Sequence, residues 1–295
     1  MSMSLDVSAG GQPSNALFLA KACDLAYYPE AEGAARFRSE LGLEARLISV
    51  DNTQVYVAQD DGSIVVAFRG SEAPTTLDGL KDWLLTNANN YLVLPAGRAG
   101  TDFAAAGVGA RFHRGFLDAL EMIWEPLLAA VDQAQKVKER PLWITGHSLG
   151  GALALLAAWR LQRNFMEVQE VVTFGAPMIG NDAASQAFGR EFAGKVFRYV
   201  DLEDLVPHLP TVSLIANAYS HCQSEVALSA AEAAGAQAAL AALQPVEQAG
   251  GGSEGSGQLD PVAVERVWEM VKGRIASHMI ANYQARVQAR CQEPA

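Results

Sequence analysis

The chain has 295 residues, half of them hydrophobic and 19% charged, with a formal net charge of −11. That length and composition fit a globular enzyme able to bury a large core. The acidic balance excludes a nucleic-acid partner, which clustered Lys and Arg would have to hold, and steady electrostatic attachment to an anionic membrane. Brief contact with a lipid interface through apolar side chains stays compatible with it. Residues 1–7 lack the basic and apolar regions of a secretory signal, and no apolar stretch reaches the ~18–20 residues of a spanning helix. Cys23, Cys222 and Cys291 are odd in number and far apart, so they read as free thiols of a reducing compartment. The expected location is cytoplasmic. Leaderless export stays open, although the glycine-and-aspartate calcium repeats that accompany one such route are absent.

In chain order, residues 14–28 show helical spacing through Leu17, Ala20, Cys23 or Asp24, and Tyr27 or Tyr28, and Pro29 stops them. Strand-like pieces follow at 45–50, 54–59 and 63–68, with Asp60-Asp61-Gly62 as a tight turn between the last two. Residues 71–84 are mixed, and 95–110, rich in Gly and Ala, read as a mobile loop. From 115 onward helix and strand alternate: helix 115–136, strand 142–145, helix 149–163, strand 168–174, helix 182–192 and strand 196–200. The alternation predicts an α/β fold with a largely parallel central sheet and helices on both faces, and the early hairpin gives that sheet an antiparallel N-terminal portion. Residues 227–258 are Ala-rich and then Gly-rich, ending in a linker-like Gly-Ser run. They read as a solvent-side insertion or as a cap or partner-binding helix. A final helix is expected over 261–290, and the whole of 1–295 is read as one domain.

Gly146-His147-Ser148-Leu149-Gly150 fits the G-x-S-x-G pattern of a strand turning sharply into a helix with an exposed serine at the corner. Large residues beside such a serine would clash with the turn, and Gly151 and Ala152 continue the small-residue run. A serine hydroxyl needs a base to take its proton, and the base needs an orienting acid. On the α/β-hydrolase fold the chain order is serine, acid, histidine. His113 precedes Ser148, His147 is adjacent and cannot point where the serine does, and His208 lies too close to the acid candidates. His221 and His278 remain as bases. Past the strand at 196–200, spacing alone leaves Asp201 and Asp204 as acids. The backbone N–H of Leu149, at the start of the following helix, is a candidate oxyanion donor.

These and further motifs resemble the class 3 lipases, the group of fungal triacylglycerol lipases with bacterial and plant relatives, and the chain reads as a bacterial member. The resemblance runs over roughly residues 60–225 and the C-terminal helix. Its carriers are the apolar strand ending in Arg69-Gly70-Ser71, then Asp82-Trp83 and Asn87, then His113-Arg114-Gly115-Phe116 and the elbow itself. Gly175-Ala-Pro-Met-Ile-Gly-Asn181, the stretch from Arg198 to Asp204-Leu-Val-Pro-His-Leu-Pro210, and His278 followed by Tyr283 complete the set.

The resemblance implies an α/β-hydrolase fold, Asp204 as the acid and His278 as the base. It assigns Tyr219-Ser220-His221 to a strand motif that is not catalytic. It also implies Ser71, through its N–H and hydroxyl, as the second oxyanion donor. The family's lid would fall at 72–94, with Leu77, Leu80, Trp83, Leu84 and Leu85 as its apolar face, or else those side chains pack permanently on the core. The expected reaction is hydrolysis of an acyl ester or lipid through an acyl-enzyme, with no cofactor and no metal. Two rival readings stand beside it: acyl transfer or thioester or peptide hydrolysis by the same triad, and a non-catalytic module using the insertion.

Overall fold

A computed structural model describes residues 4–8, 10–71, 91–209, 219–222, 224–228 and 261–292, with the side chains of 261–264, 266 and 267 left aside. Strands β1 (Glu44–Val50), β2 (Thr53–Gln59) and β3 (Ile64–Phe68) form an antiparallel meander. The turn between β2 and β3 is closed by Asp60, whose Oδ1 accepts from the N–H groups of Gly62 and Ser63 at 2.8 and 2.7 Å. From β3 the sheet continues in parallel through β6 (Leu142–His147), β7 (Val168–Phe174), β9 (Val196–Val200) and β11 (Ser224–Ala227), giving the order β1-β2-β3-β6-β7-β9-β11. The expected α/β architecture, with its antiparallel N-terminal portion, is present.

Helices cover both faces because the central strands are apolar on both. In β3, Ile64, Val66 and Phe68 point into one core while Val65 and Ala67 point into the other. The first core is closed by α4 (Arg114–Val137) and α5 (Leu149–Arg163), and the second by α1 (Pro13–Leu25) and α9 (Ile280–Arg290). Residues Leu149 to Leu161 of α5 are buried without interruption, as expected of a helix wrapped by protein. The remaining helices used below are α3 (Gly97–Phe103), α6 (Asp182–Glu191), α7 (Pro261–Gly273) and α8 (Ile275–His278), with α2 spanning Glu30–Arg36.

Two expectations are corrected. Residues 95–110 are not a mobile loop: they contain α3 and a 3₁₀ turn over Ala104–Ala106. Local propensity there is poor, and tertiary anchors supply the order. Phe103 and Ala106 enter the core, Trp159 Nε1–H donates to the Asp102 carbonyl at 2.9 Å, and Arg160 Nε sits 2.8 Å from the Asp102 carboxylate. The single C-terminal helix expected over 261–290 is three, α7, α8 and α9, broken at Arg274 (φ −119°, ψ 16°) and at Met279 (φ −64°, ψ 139°). The second break turns the chain so that His278 and Tyr283 both face inward. A small four-stranded sheet of two-residue strands, in the order β10 (Tyr219–Ser220), β8 (Gly180–Asn181), β5 (Phe112–His113) and β4 (Leu92–Val93), was not expected. It includes Leu92–Val93, the end of the segment read as a lid. Residues 72–90 of that segment, including Trp83 and Leu84, and nearly all of the 227–258 insertion lie outside the described residues.

Candidate active site

Parallel β6 lies between β3 and β7, with Phe68 level with Gly146 and His147 level with Phe174. The three strands therefore end together, and the chain leaves each of them on the same edge of the sheet. Ser148 follows β6 directly and has φ 58° and ψ −132°, a conformation that strains any residue with a Cβ. The turn is held by Ser148 N–H donating to the Phe174 carbonyl at 2.9 Å and by Gly151 N–H donating to the Ser148 carbonyl at 2.9 Å. It also needs its small neighbours. A Cβ on Gly146 would lie 2.1 Å from the Gly150 oxygen, and one on Gly150 would lie 2.4 Å from the Phe68 oxygen. The start of α5 thus rests against the end of β3.

The structure brings Ser148, His278 and Asp204 into one hydrogen-bonded line. Ser148 Oγ is 2.9 Å from His278 Nε2, and His278 Nδ1 is 2.8 Å from Asp204 Oδ2. A carboxylate can only accept, so Nδ1 carries the proton and Nε2 is left to accept from the serine hydroxyl. All three residues are buried. Asp204 is further held by the Tyr283 hydroxyl, which donates to Oδ2 at 2.7 Å, and by the Val206 N–H, which donates to Oδ1 at 2.9 Å. Burial and the adjacent Asp204 carboxylate raise the Tyr283 phenol well above its usual range, keeping it a donor. Gly175, at φ +59°, is part of the same arrangement: a Cβ there would come within 2.9 Å of Asp204 Oδ2.

The competing candidates have other occupations. Asp201 is pinned to α9, accepting from Asn282 Nδ2 at 2.7 Å and pairing with Arg286 Nε at 2.7 Å. His221 is half-buried near Arg198 and His208, and desolvation, followed by the Arg198 guanidinium, depresses its imidazole to about 3. Its backbone carbonyl accepts from the Ser185 hydroxyl of α6 at 2.5 Å. His113 caps α4, its Nδ1 accepting from Phe116 N–H at 3.3 Å.

Leu149 opens α5, so its N–H is one of the donors that a helix start leaves without an intrahelical partner. The strand register carried past Phe68 sets Arg69-Gly70-Ser71 alongside the elbow. Gly70 is so close that a Cβ on it would lie 3.2 Å from Ser148 Cβ. Ser71, half-buried, follows immediately. Two further side chains carry no signal in the motif: the His147 imidazole and the Tyr27 hydroxyl are hydrogen-bonded to each other at 2.7 Å, beneath the elbow. Tyr27 was visible only as a turn of helical periodicity, and His147 only as a residue whose side chain leaves the site. Among the described residues, no group of three or more His, Cys, Asp or Glu is arranged to hold a metal ion. Such an arrangement, a strained serine, a neutral imidazole, a buried carboxylate and backbone donors at a helix start, is equipped for nucleophilic acyl chemistry.

Comparison with known proteins agrees with the geometry. The chain is 30% identical over 169 residues to secreted mono- and diacylglycerol lipase 3 of Gibberella zeae, an alignment covering 55% of this chain and 49% of that protein. It is 34% identical over 160 residues to secreted mono- and diacylglycerol lipase 1 of Fusarium solani, covering 53% and 43% respectively. The chain thus spans about half the length of these curated relatives. In fold it is similar to the crystal structure of a mutant form of MDLA from Penicillium cyclopium, with a TM-score of 0.56 and 22% identity, over 73% of this chain and 79% of that one. The family model described as lipase (class 3) matches residues 65–214, just over half of the chain, from β3 through the elbow and past Asp204. With that match, the chain belongs to the class 3 lipase family.

Proposed function

We propose that the protein is a serine carboxylic ester hydrolase acting on acylglycerols or related lipid esters. The observation that carries this reading is the hydrogen-bonded line from Ser148 through His278 to Asp204, at 2.9 and 2.8 Å, set on a strained elbow. Ser148 Oγ attacks the ester carbonyl as His278 Nε2 takes its proton, and Asp204 stabilises the imidazolium that forms. The carbonyl oxygen gathers negative charge facing the Leu149 N–H and the Ser71 N–H and hydroxyl. One such donor is typically worth about 10²–10³ in turnover. His278 then protonates the leaving alcohol. In the second half, it activates a water that resolves the acyl-enzyme and frees Ser148. The acylglycerol class is supported by family membership and by the similarity to two fungal mono- and diacylglycerol lipases. Transient contact with a lipid interface belongs to the same reading.

The test is hydrolysis of p-nitrophenyl esters of graded chain length by the native protein and by Ser148→Ala. Activity lost in the variant, with a preference for long chains and a rate jump above the solubility limit, supports a lipid-ester hydrolase. Full activity in Ser148→Ala contradicts the assignment.

A further inference from the structure

His147 sits inside the elbow, yet the reaction as written gives it no part. Its ring is nonetheless bonded at both nitrogens. Nε2 lies 2.6 Å from the backbone carbonyl of His278, and because a carbonyl can only accept, Nε2 carries the proton. Nδ1 is then an acceptor and takes the Tyr27 O–H at 2.7 Å. The Tyr27 oxygen lies directly against the Gly70 backbone. Gly70 makes room for that hydroxyl by having no side chain, since a Cβ there would lie 2.3 Å from the Tyr27 oxygen and 2.7 Å from the His147 carbonyl.

We infer that His147 and Tyr27 are positioning residues for the proposed ester hydrolysis, forming a relay that ties the Gly70 backbone to the backbone of His278. Four separate chain segments meet in it: the turn after α1 that carries Tyr27, the end of β3 that presents Ser71, the elbow that presents Ser148, and α8 that presents His278. The base enters the site from a part of the chain 130 residues beyond the serine. The His147 bond to its carbonyl ties α8 to the elbow through the backbone, beside the reactive Ser148–His278 bond. The relay works only with a neutral ring, and the surroundings keep it so. Burial, followed by the neighbouring His278, depresses the His147 imidazole to about 3. A charged ring at this place, 4.8 Å centroid to centroid from His278, would oppose the imidazolium that turnover requires.

The inference rests on the hydrolase reading, and the experiment separates the two. Native protein, Tyr27→Phe, His147→Leu, His147→Gln and the Tyr27→Phe/His147→Leu double variant are compared on a short-chain p-nitrophenyl ester, together with the rate at which a fluorophosphonate labels Ser148. Tyr27→Phe removes one oxygen and leaves the packing in place, so it decides the matter even where a His147 variant fails to fold. The expected result is a kcat lower by about 10-fold in Tyr27→Phe and about 10²-fold in His147→Leu, with KM within about twofold and labelling slowed in proportion. The double variant is no slower than His147→Leu, because both act through one chain of bonds. His147→Gln, which keeps a side-chain N–H donor, recovers part of the loss. Native kcat in Tyr27→Phe, losses that multiply in the double variant, or no recovery in His147→Gln overturns the relay. Native protein that neither turns over ester nor takes up the label overturns the hydrolase reading instead.

Discussion

Asp204 is 1% exposed and its carboxylate accepts from His278, Tyr283 and Val206. A buried carboxylate is tolerable only when its lone pairs are filled in this way. Asp204→Asn leaves the shape and removes the acceptor that selects the Nδ1–H tautomer, so kcat is expected to fall by about 10⁴ with little change in unfolding midpoint. Tyr283→Phe removes one charge-assisted hydrogen bond, with an expected loss of about 1.5–3 kcal/mol in urea unfolding and a lower kcat. His278→Ala abolishes turnover, whereas His221→Ala keeps most of it, a contrast read directly from steady-state rates. Residue types and chain order made Ser148 legible in the sequence and narrowed the acid to Asp201 or Asp204. Which aspartate meets the histidine depended on α9. Asn282 and Arg286 occupy Asp201, and no local pattern near residue 201 announces them.

The elements show the same division between local and distant causes. Strand β7 and helix α5 match their expected limits because alternation and small-residue runs are local signals. Helix α3 was invisible because its order comes from Arg160. That buried guanidinium pairs with Asp102 and Glu121 at 2.8 and 2.7 Å and lies 3.9 Å from the Trp124 ring centroid. Arg160→Met strands the Asp102 carboxylate, with an expected cost of about 2–4 kcal/mol in chemical denaturation and faster hydrogen exchange in α3. The N-terminal segment is held by a different device. Glu170 of β7, 1% exposed, accepts from Gly11 N–H at 2.8 Å, and burial pushes its carboxyl up to about 7 from the usual 4.5. The folded protein therefore binds a proton more tightly than the unfolded chain. This group's contribution is present below about pH 4.5 and is lost as pH rises through about 7. Glu170→Gln has no proton to lose. Its stability relative to the native protein is expected to rise by about 1–2 kcal/mol between pH 5 and pH 8, read from unfolding curves at the two pH values.

At the scale of the molecule, the sheet works as a comb that ends its central strands on one edge. Ser148 follows β6, Asp204 follows β9, and Arg69-Gly70-Ser71 follows β3, so three of the four required pieces are delivered by parallel register alone. The fourth, His278, arrives from the C-terminal helices, and its arrival depends on the break at Met279. No sequence signal marked that break, because neither Pro nor Gly stands at it and the cause is the inward pull of buried Ile280 and Tyr283. The central claim is that these four pieces make Ser148 a nucleophile. Its most direct measurement is covalent labelling by a fluorophosphonate, mapped by peptide mass spectrometry. The expected result is one label per chain, on Ser148, absent from Ser148→Ala and slowed by about 10³ or more in His278→Ala. A native protein that takes no label at Ser148, or a His278→Ala variant labelled at the native rate, would contradict it.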